Sequence, residues 1–65
     1  MLFMSSYKIE KITDGEPLIK LDQDVSDKIG GQTRVWLVSN NNYQTYVVSQ
    51  VNSNEVTLTK QYQKI

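Results

Sequence analysis

The 65-residue chain carries seven lysine or arginine residues against seven aspartate or glutamate residues, so its formal net charge is zero, and it contains neither cysteine nor histidine. This composition excludes disulfides, the ordinary zinc sites, and catalysis by a histidine base or a cysteine nucleophile. A chain this small removes only about 60% of its unfolded surface from water on folding. We therefore expect a single non-enzymatic domain that is helped by self-association as a homodimer.

The first part of the chain predicts a β-hairpin. Residues 1–6 are expected to form a flexible terminus before a domain over residues 7–65. The apolar start MLFM is too short for a membrane span and lacks the basic region of a signal peptide, so no membrane contact is expected, and the absence of cysteine makes the cytoplasm the default location. Alternation over residues 7–12 indicates a strand, Asp14-Gly15 indicates a tight turn, and Pro17 precedes a second strand, LIKL.

A short helix is predicted next. Its signals are a capping aspartate, further acidic residues near the start, a lysine near the end and a glycine pair, namely Asp22, Asp24, Asp27, Lys28, Gly30 and Gly31. Val25 and Ile29 are four residues apart, so they share a face that can plug one end of a small sheet or barrel. The acidic residues are interpreted as helix caps, because the loop glycine and the terminal glutamate of an EF-hand are missing. No metal and no cofactor is expected.

Three further strands are predicted over residues 33–39, 43–51 and 55–62, with turns at residues 40–42 and 52–54. The first of these places Val35 and Leu37 on one face and Trp36 and Val38 on the other, which is typical of a central strand. The predicted order is β-β-α-β-β-β. We expect a mainly β protein built as a small five-stranded sheet or barrel with one short helix, or alternatively an SH3-like barrel, since closure removes exposed sheet edges.

One segment resembles a known family. IEKITDGEPLIKLDQDVSDKIG, from Ile9 to Gly30, reads as strand, tight turn, strand and short helix ending in an apolar-Gly pair, with a hairpin to follow. It resembles the swapped-hairpin transcription factors and antitoxins of the AbrB/MazE type. The resemblance implies an intertwined homodimer that binds DNA through basic residues of its first hairpin. These correspond here to Lys8, Lys11 and Lys20, and Arg34 is a further candidate for a phosphate contact.

The aromatic residues support a different hypothesis. Trp36 and Tyr46 are expected on the same side of the sheet if their strands pair through the asparagine turn, and with Tyr43 and the neighbouring Arg34 they would form a patch able to anchor a protein partner. Burial of Trp36 in the core is the alternative. The sequence therefore leaves open a DNA-binding regulator or antitoxin, an SH3-like interaction module or inhibitor such as a mobile element could encode, and a structural subunit of a larger assembly.

Overall fold

The computed structural model describes residues 5–65 and shows five antiparallel strands that form a curled half-barrel. The strands are β1 (Ile9–Ile12), β2 (Leu18–Leu21), β3 (Arg34–Ser39), β4 (Asn42–Asn52) and β5 (Glu55–Leu58). They lie in the order β1-β2-β5-β4-β3, so β1 and β3 form the two edges. The predicted mainly β, five-stranded architecture is confirmed. Residues 1–4 of the predicted flexible terminus lie outside the described residues, and Ser5 and Ser6 are exposed.

The core lies on the concave side of the sheet, where alternate residues of the three inner strands point inward. Its buried members are Ile19, Leu21, Val25, Tyr46, Val48, Val56 and Leu58. Strands with one face buried and one face wet show this alternation, and in β5 it places Val56 and Leu58 in the core. Half-buried residues from both edge strands, among them Ile9, Val35 and Leu37, extend the core toward the open side.

Two bulges change which residues reach the core. In β1 the register shifts between Ile9 and Lys11, so that both Ile9 and Ile12 lie opposite buried residues of β2. In β4 it shifts between Val48 and Gln50, so that Val51 lies opposite the buried Val56. An extra residue in one strand reverses the alternation beyond it, so Val51 packs against the core together with Val48, although the two are an odd number of positions apart.

The predicted helix is wrong: in the described chain the segment between β2 and β3 contains turns but no helix. The carbonyl oxygen of Val25 accepts hydrogen bonds from the amides of Lys28 at 3.0 Å and Ile29 at 2.9 Å, and the Val25 amide itself donates to Ser53 O at 3.0 Å. A short helix has a costly nucleus, and here tertiary contacts satisfy the backbone instead. Val25 is nevertheless fully buried. No helix in the described part of the chain has the length and apolarity needed to cross a membrane.

Two other expectations are corrected. The predicted central strand β3 is an edge strand that pairs only with β4. The predicted turn at Asp14-Gly15 is present, since the Glu16 amide donates to Thr13 O at 3.2 Å and Gly15 has a φ of 88°. The C-terminal segment is bonded to this β1–β2 connection: the Gly15 amide donates to Tyr62 O at 2.7 Å and the Tyr62 amide to Glu16 O at 3.0 Å. The last strand ends at Leu58 and not at residue 62 as predicted, because the residues after it bond to the β1–β2 connection and to Tyr46 instead.

Candidate functional site

One face of the β3–β4 hairpin is apolar, bordered by polar residues and exposed to solvent. Its strands are joined by a turn at Asn40-Asn41, where Asn40 has a φ of 54°, and asparagine tolerates this left-handed geometry. Trp36 lies opposite Thr45, and Val38 lies opposite Tyr43. Directly opposed residues of an antiparallel pair share a face. Trp36, Val38 and Tyr43 are 60%, 58% and 68% exposed, which makes them the largest exposed apolar group on any one hairpin of the described chain.

Tyr46 does not belong to this face. It lies opposite Val35, on the concave side of the sheet, and is 5% exposed. The prediction that Trp36 and Tyr46 share a side is therefore wrong, and so is the alternative that Trp36 forms core. Strand positions 36 and 46 have opposite orientation because the hairpin register pairs residue 36 with residue 45.

Tyr46 instead holds the C-terminal segment. Its hydroxyl accepts hydrogen bonds from the Gln63 amide at 3.1 Å and from Gln44 Nε2 at 3.3 Å. Its ring centroid lies 6.3 Å from that of Tyr62, and Lys60 Nζ lies 5.3 Å from the Tyr46 centroid. Tilted aromatic pairs and a cation over a ring face are both attractive arrangements. These contacts show that Tyr46 holds the C-terminal segment in place, whereas the sequence predicts that it anchors a protein partner.

Arg34 completes the exposed face. It opens β3, is exposed, and lies opposite Val47, two positions before Trp36 on the same face. We call Arg34, Trp36, Val38 and Tyr43 together the Trp36 surface. Apart from the guanidinium it carries no charge, and aromatic and arginine side chains are the residue types that dominate protein interfaces.

The predicted nucleic-acid residues are brought together only in part. Lys11 lies opposite Lys20 on the β1–β2 hairpin, and Lys8 directly precedes β1. Lys20 Nζ is also 3.8 Å from Glu55 Oε2, so one acidic group already neutralises part of this hairpin. Arg34 lies on the opposite edge strand.

The acidic residues after β2 form no metal cluster within residues 5–65. Asp24 Oδ1 accepts hydrogen bonds from Ser26 Oγ at 2.7 Å and from the Ser26 amide at 2.8 Å. These two bonds, with a smaller contribution from Ser53, hold the pKa of the Asp24 carboxyl below its usual value of 3.8. The carboxylate thus shapes its own turn, as aspartates commonly do.

Sequence reasoning missed Val38 as a surface residue. A strand that is apolar on both faces is typical of the middle of a sheet, and only the strand order reveals that β3 has a free edge. The run of three asparagines that ends the strand at residue 40 carried no information about strand order. No protein-family model, no curated protein and no solved structure matches the chain.

Proposed function

We propose that the chain is a non-enzymatic protein-interaction module and that it self-associates through the Trp36 surface. The observation that carries this proposal is the exposure of Trp36, Val38 and Tyr43 side by side on one hairpin. An exposed apolar cluster with a polar rim marks an interaction site. The proposal belongs to the interaction-module class that the sequence left open, and it retains the expected homodimer and the expected cytoplasmic location.

The layout of the surface favours a two-fold contact. Along β3 the outward residues run Arg34, Trp36, Val38, and Tyr43 stands beside Val38. A two-fold axis across the strands places the two Trp36 side chains near each other and Arg34 over Tyr43 of the second copy. This arrangement pairs each cation with an aromatic face, whereas an axis along the strands would place the two arginines together. Either axis would give an isologous contact, which is the common form of dimer, and the pairing of cation with aromatic ring favours the first.

Self-association would also add stability that the small core of this chain does not supply. Only seven side chains of the described residues are buried hydrophobics, and chains of this size commonly rely on an added source of stability. Covering the Trp36 surface would remove further apolar area from water at about 25 cal/mol per Å².

The test is the molar mass in solution, measured by light scattering over a tenfold concentration range. We expect the mass of two chains for the native protein and the mass of one chain for Trp36→Ala. Leu18→Ala is the matched control, because Leu18 is also an exposed apolar strand residue, 39% exposed, but lies on β2. It should remain dimeric. A native protein that stays monomeric over the whole range would refute self-association.

DNA binding is the second candidate function, and the pairing of Lys11 with Lys20 on one hairpin favours it. It corresponds to the regulator or antitoxin role that the AbrB/MazE resemblance implies. Zero net charge and the neighbouring Glu55 argue for the interaction module first, because binding to phosphates depends on accumulated positive charge.

A further inference from the structure

The open side of the half-barrel is a second surface, which meets the Trp36 surface along β3, where Arg34, Trp36 and Val38 border both. It is an apolar groove of about 760 Å³ between the two edge strands. Tyr7 and Ile9 line one wall, Val35 and Leu37 line the other, and core residues of β2 and β5 form the floor. This volume falls in the range of about 300–1,000 Å³ that is usual for binding sites.

Strand direction makes this groove suited to one additional strand. Each neighbouring pair in the order β1-β2-β5-β4-β3 is antiparallel. Two strands separated by four antiparallel steps run in the same direction, so β1 and β3 are parallel to each other across the groove. A single extended segment can therefore run antiparallel to both and complete an all-antiparallel barrel of six strands.

The edge of β3 is the better template for such a segment. It has six residues without a bulge, whereas β1 has four residues and an irregular register. Bulges are a common means of blunting an edge strand. Within residues 5–65, β3 pairs only with β4, so its other edge can accept an added strand in the usual mode of β-augmentation.

Charge specifies the chemistry of the segment. Among residues 5–65, the only charged residues that line the groove are Lys28 and Arg34, and no acidic residue of this part of the chain lines it. Arg34 opens β3, and Lys28 belongs to the segment that leads into it, so we take this end of the groove as the cationic one. A strand antiparallel to β3 brings its C-terminal part to that end, where a carboxylate would be attracted by both cations.

We propose that the groove binds an extended peptide from a partner protein, added antiparallel to β3 as a sixth strand, with apolar side chains at alternate positions and a carboxylate near its C-terminal end. The apolar side chains contact Val35 and Leu37 on one side and Ile9 on the other, and the carboxylate lies beside Arg34 and Lys28. The two sites share Arg34 at their common edge, whereas Lys28 belongs to the groove and not to the Trp36 surface, so Lys28→Glu tests the groove separately from self-association.

The experiment selects peptides of about ten residues, enough to cover a strand of ordinary length, from a random displayed library against the full chain. Selected sequences are synthesised with a fluorescent label, and their affinities are measured by anisotropy. We expect alternating apolar residues with Asp or Glu near the C-terminal end. Lys28→Glu and Arg34→Glu should each weaken binding by about tenfold, as loss of a charge-assisted contact does. Lys64→Glu changes the same charge on an exposed lysine outside the groove and should leave affinity unchanged.

Two further measurements probe the strand geometry. In the first, a peptide whose terminal acid is replaced by lysine should recover affinity for Arg34→Glu. In the second, alternate peptide amides are N-methylated, either the odd-numbered set or the even-numbered set. Only one of the two sets should abolish binding when methylated, because only one set pairs with β3. The circular dichroism of each variant establishes that it folds.

Several results would overturn the proposal. They are the selection of no binding peptide, affinities unaffected by both Lys28→Glu and Arg34→Glu, and binding lost in Trp36→Ala but not in Lys28→Glu, which would place the peptide on the outer face. Loss of the dimer in Lys28→Glu would assign the groove to a second copy. Peptide binding that occurs only in a Leu2→Ser, Phe3→Ser variant would assign it to the first residues of the chain itself.

Discussion

Trp36 and Tyr46 lie on opposite faces of one hairpin, because Tyr46 is paired with Val35 and Trp36 with Thr45. The two aromatic residues therefore have separate tasks. Trp36 is 60% exposed on the outer face, whereas Tyr46 is 5% exposed and bonded to the C-terminal segment. Their substitution should separate stability from association.

We expect Trp36→Ala to leave the free energy of unfolding of the monomer nearly unchanged, because the side chain packs against little of its own chain. Tyr46→Ala should lower the free energy of unfolding by about 3 kcal/mol or more, as large aromatic truncations in cores do. This loss is comparable with the total of about 3–5 kcal/mol that a core of this size supplies. Tyr46→Phe isolates the hydroxyl and should cost about 1 kcal/mol. Urea denaturation at a concentration where the chain is monomeric measures all three, and a large loss in Trp36→Ala would contradict the assignment.

The glycine pair gives a matched comparison. A Cβ added to Gly31 would lie 3.0 Å from Ser49 O at the bulge of β4, whereas one added to Gly30 meets nothing within 4 Å. We expect Gly31→Ala to destabilise the protein by about 1 kcal/mol or more, since backbone must shift to make room. Gly30→Ala should be neutral or slightly stabilising, because it reduces the freedom of the unfolded chain. Equal denaturation midpoints for the two variants would show that the close approach of Gly31 to β4 does not affect the free energy of unfolding.

The same glycines show how far the sequence predicts the fold. Alternation identified all five strands, and LIKL was placed correctly as β2. The helix was wrong because its signals were local: capping residues and a glycine stop are compatible with a single turn when the backbone finds tertiary partners, as Val25 does with Ser53. Gly31 was read as a stop, but its need for a small side chain comes from Ser49, eighteen positions along the chain. Contacts of this kind are absent from any local pattern.

The sequence predicts which residues form the candidate site, but it does not predict how they are arranged. Trp36, Tyr43 and Arg34 were identified because few other residues of this chain suit an interface. Their common face, and the exclusion of Tyr46 from it, depend on the register across the Asn40-Asn41 turn. One position of register reverses the face of every side chain. The groove depends on which strands are edges, and strand order is set by nonlocal pairing of β2 with β5.

Acid should weaken the turn after β2. The folded state lowers the pKa of Asp24 through its bonds to Ser26. A carboxyl whose pKa is depressed by folding stabilises the protein above its unfolded value, here 3.8, and loses this contribution as the pH falls below 3.8 through the lower folded value. The exposure of Asp24 keeps the effect small.

The measurement compares the native protein with Asp24→Asn, which cannot titrate at this position. We expect the difference between their free energies of unfolding to be constant at neutral pH and to shrink below pH 3.8, because the other carboxyl groups titrate alike in both proteins. In an NMR titration the Ser26 amide resonance should move with a midpoint below 3.8. A midpoint at or above that value would show that the hydrogen bonds do not favour the charged carboxylate.

DNA binding, the second candidate function, makes predictions that self-association through the Trp36 surface does not make. If the β1–β2 hairpin binds DNA through Lys8, Lys11 and Lys20, the logarithm of the affinity should fall with the logarithm of the salt concentration. The slope should be about −2.7, since each of the three neutralised phosphates contributes about −0.9. Lys11→Glu with Lys20→Glu should then abolish binding, and Lys64→Glu should not. Trp36→Ala would weaken DNA binding only if the dimer is required for it. A salt-independent or absent interaction with duplex DNA, measured by fluorescence anisotropy on protein that still dimerises, would exclude this function and leave the Trp36 surface as the active part of the molecule.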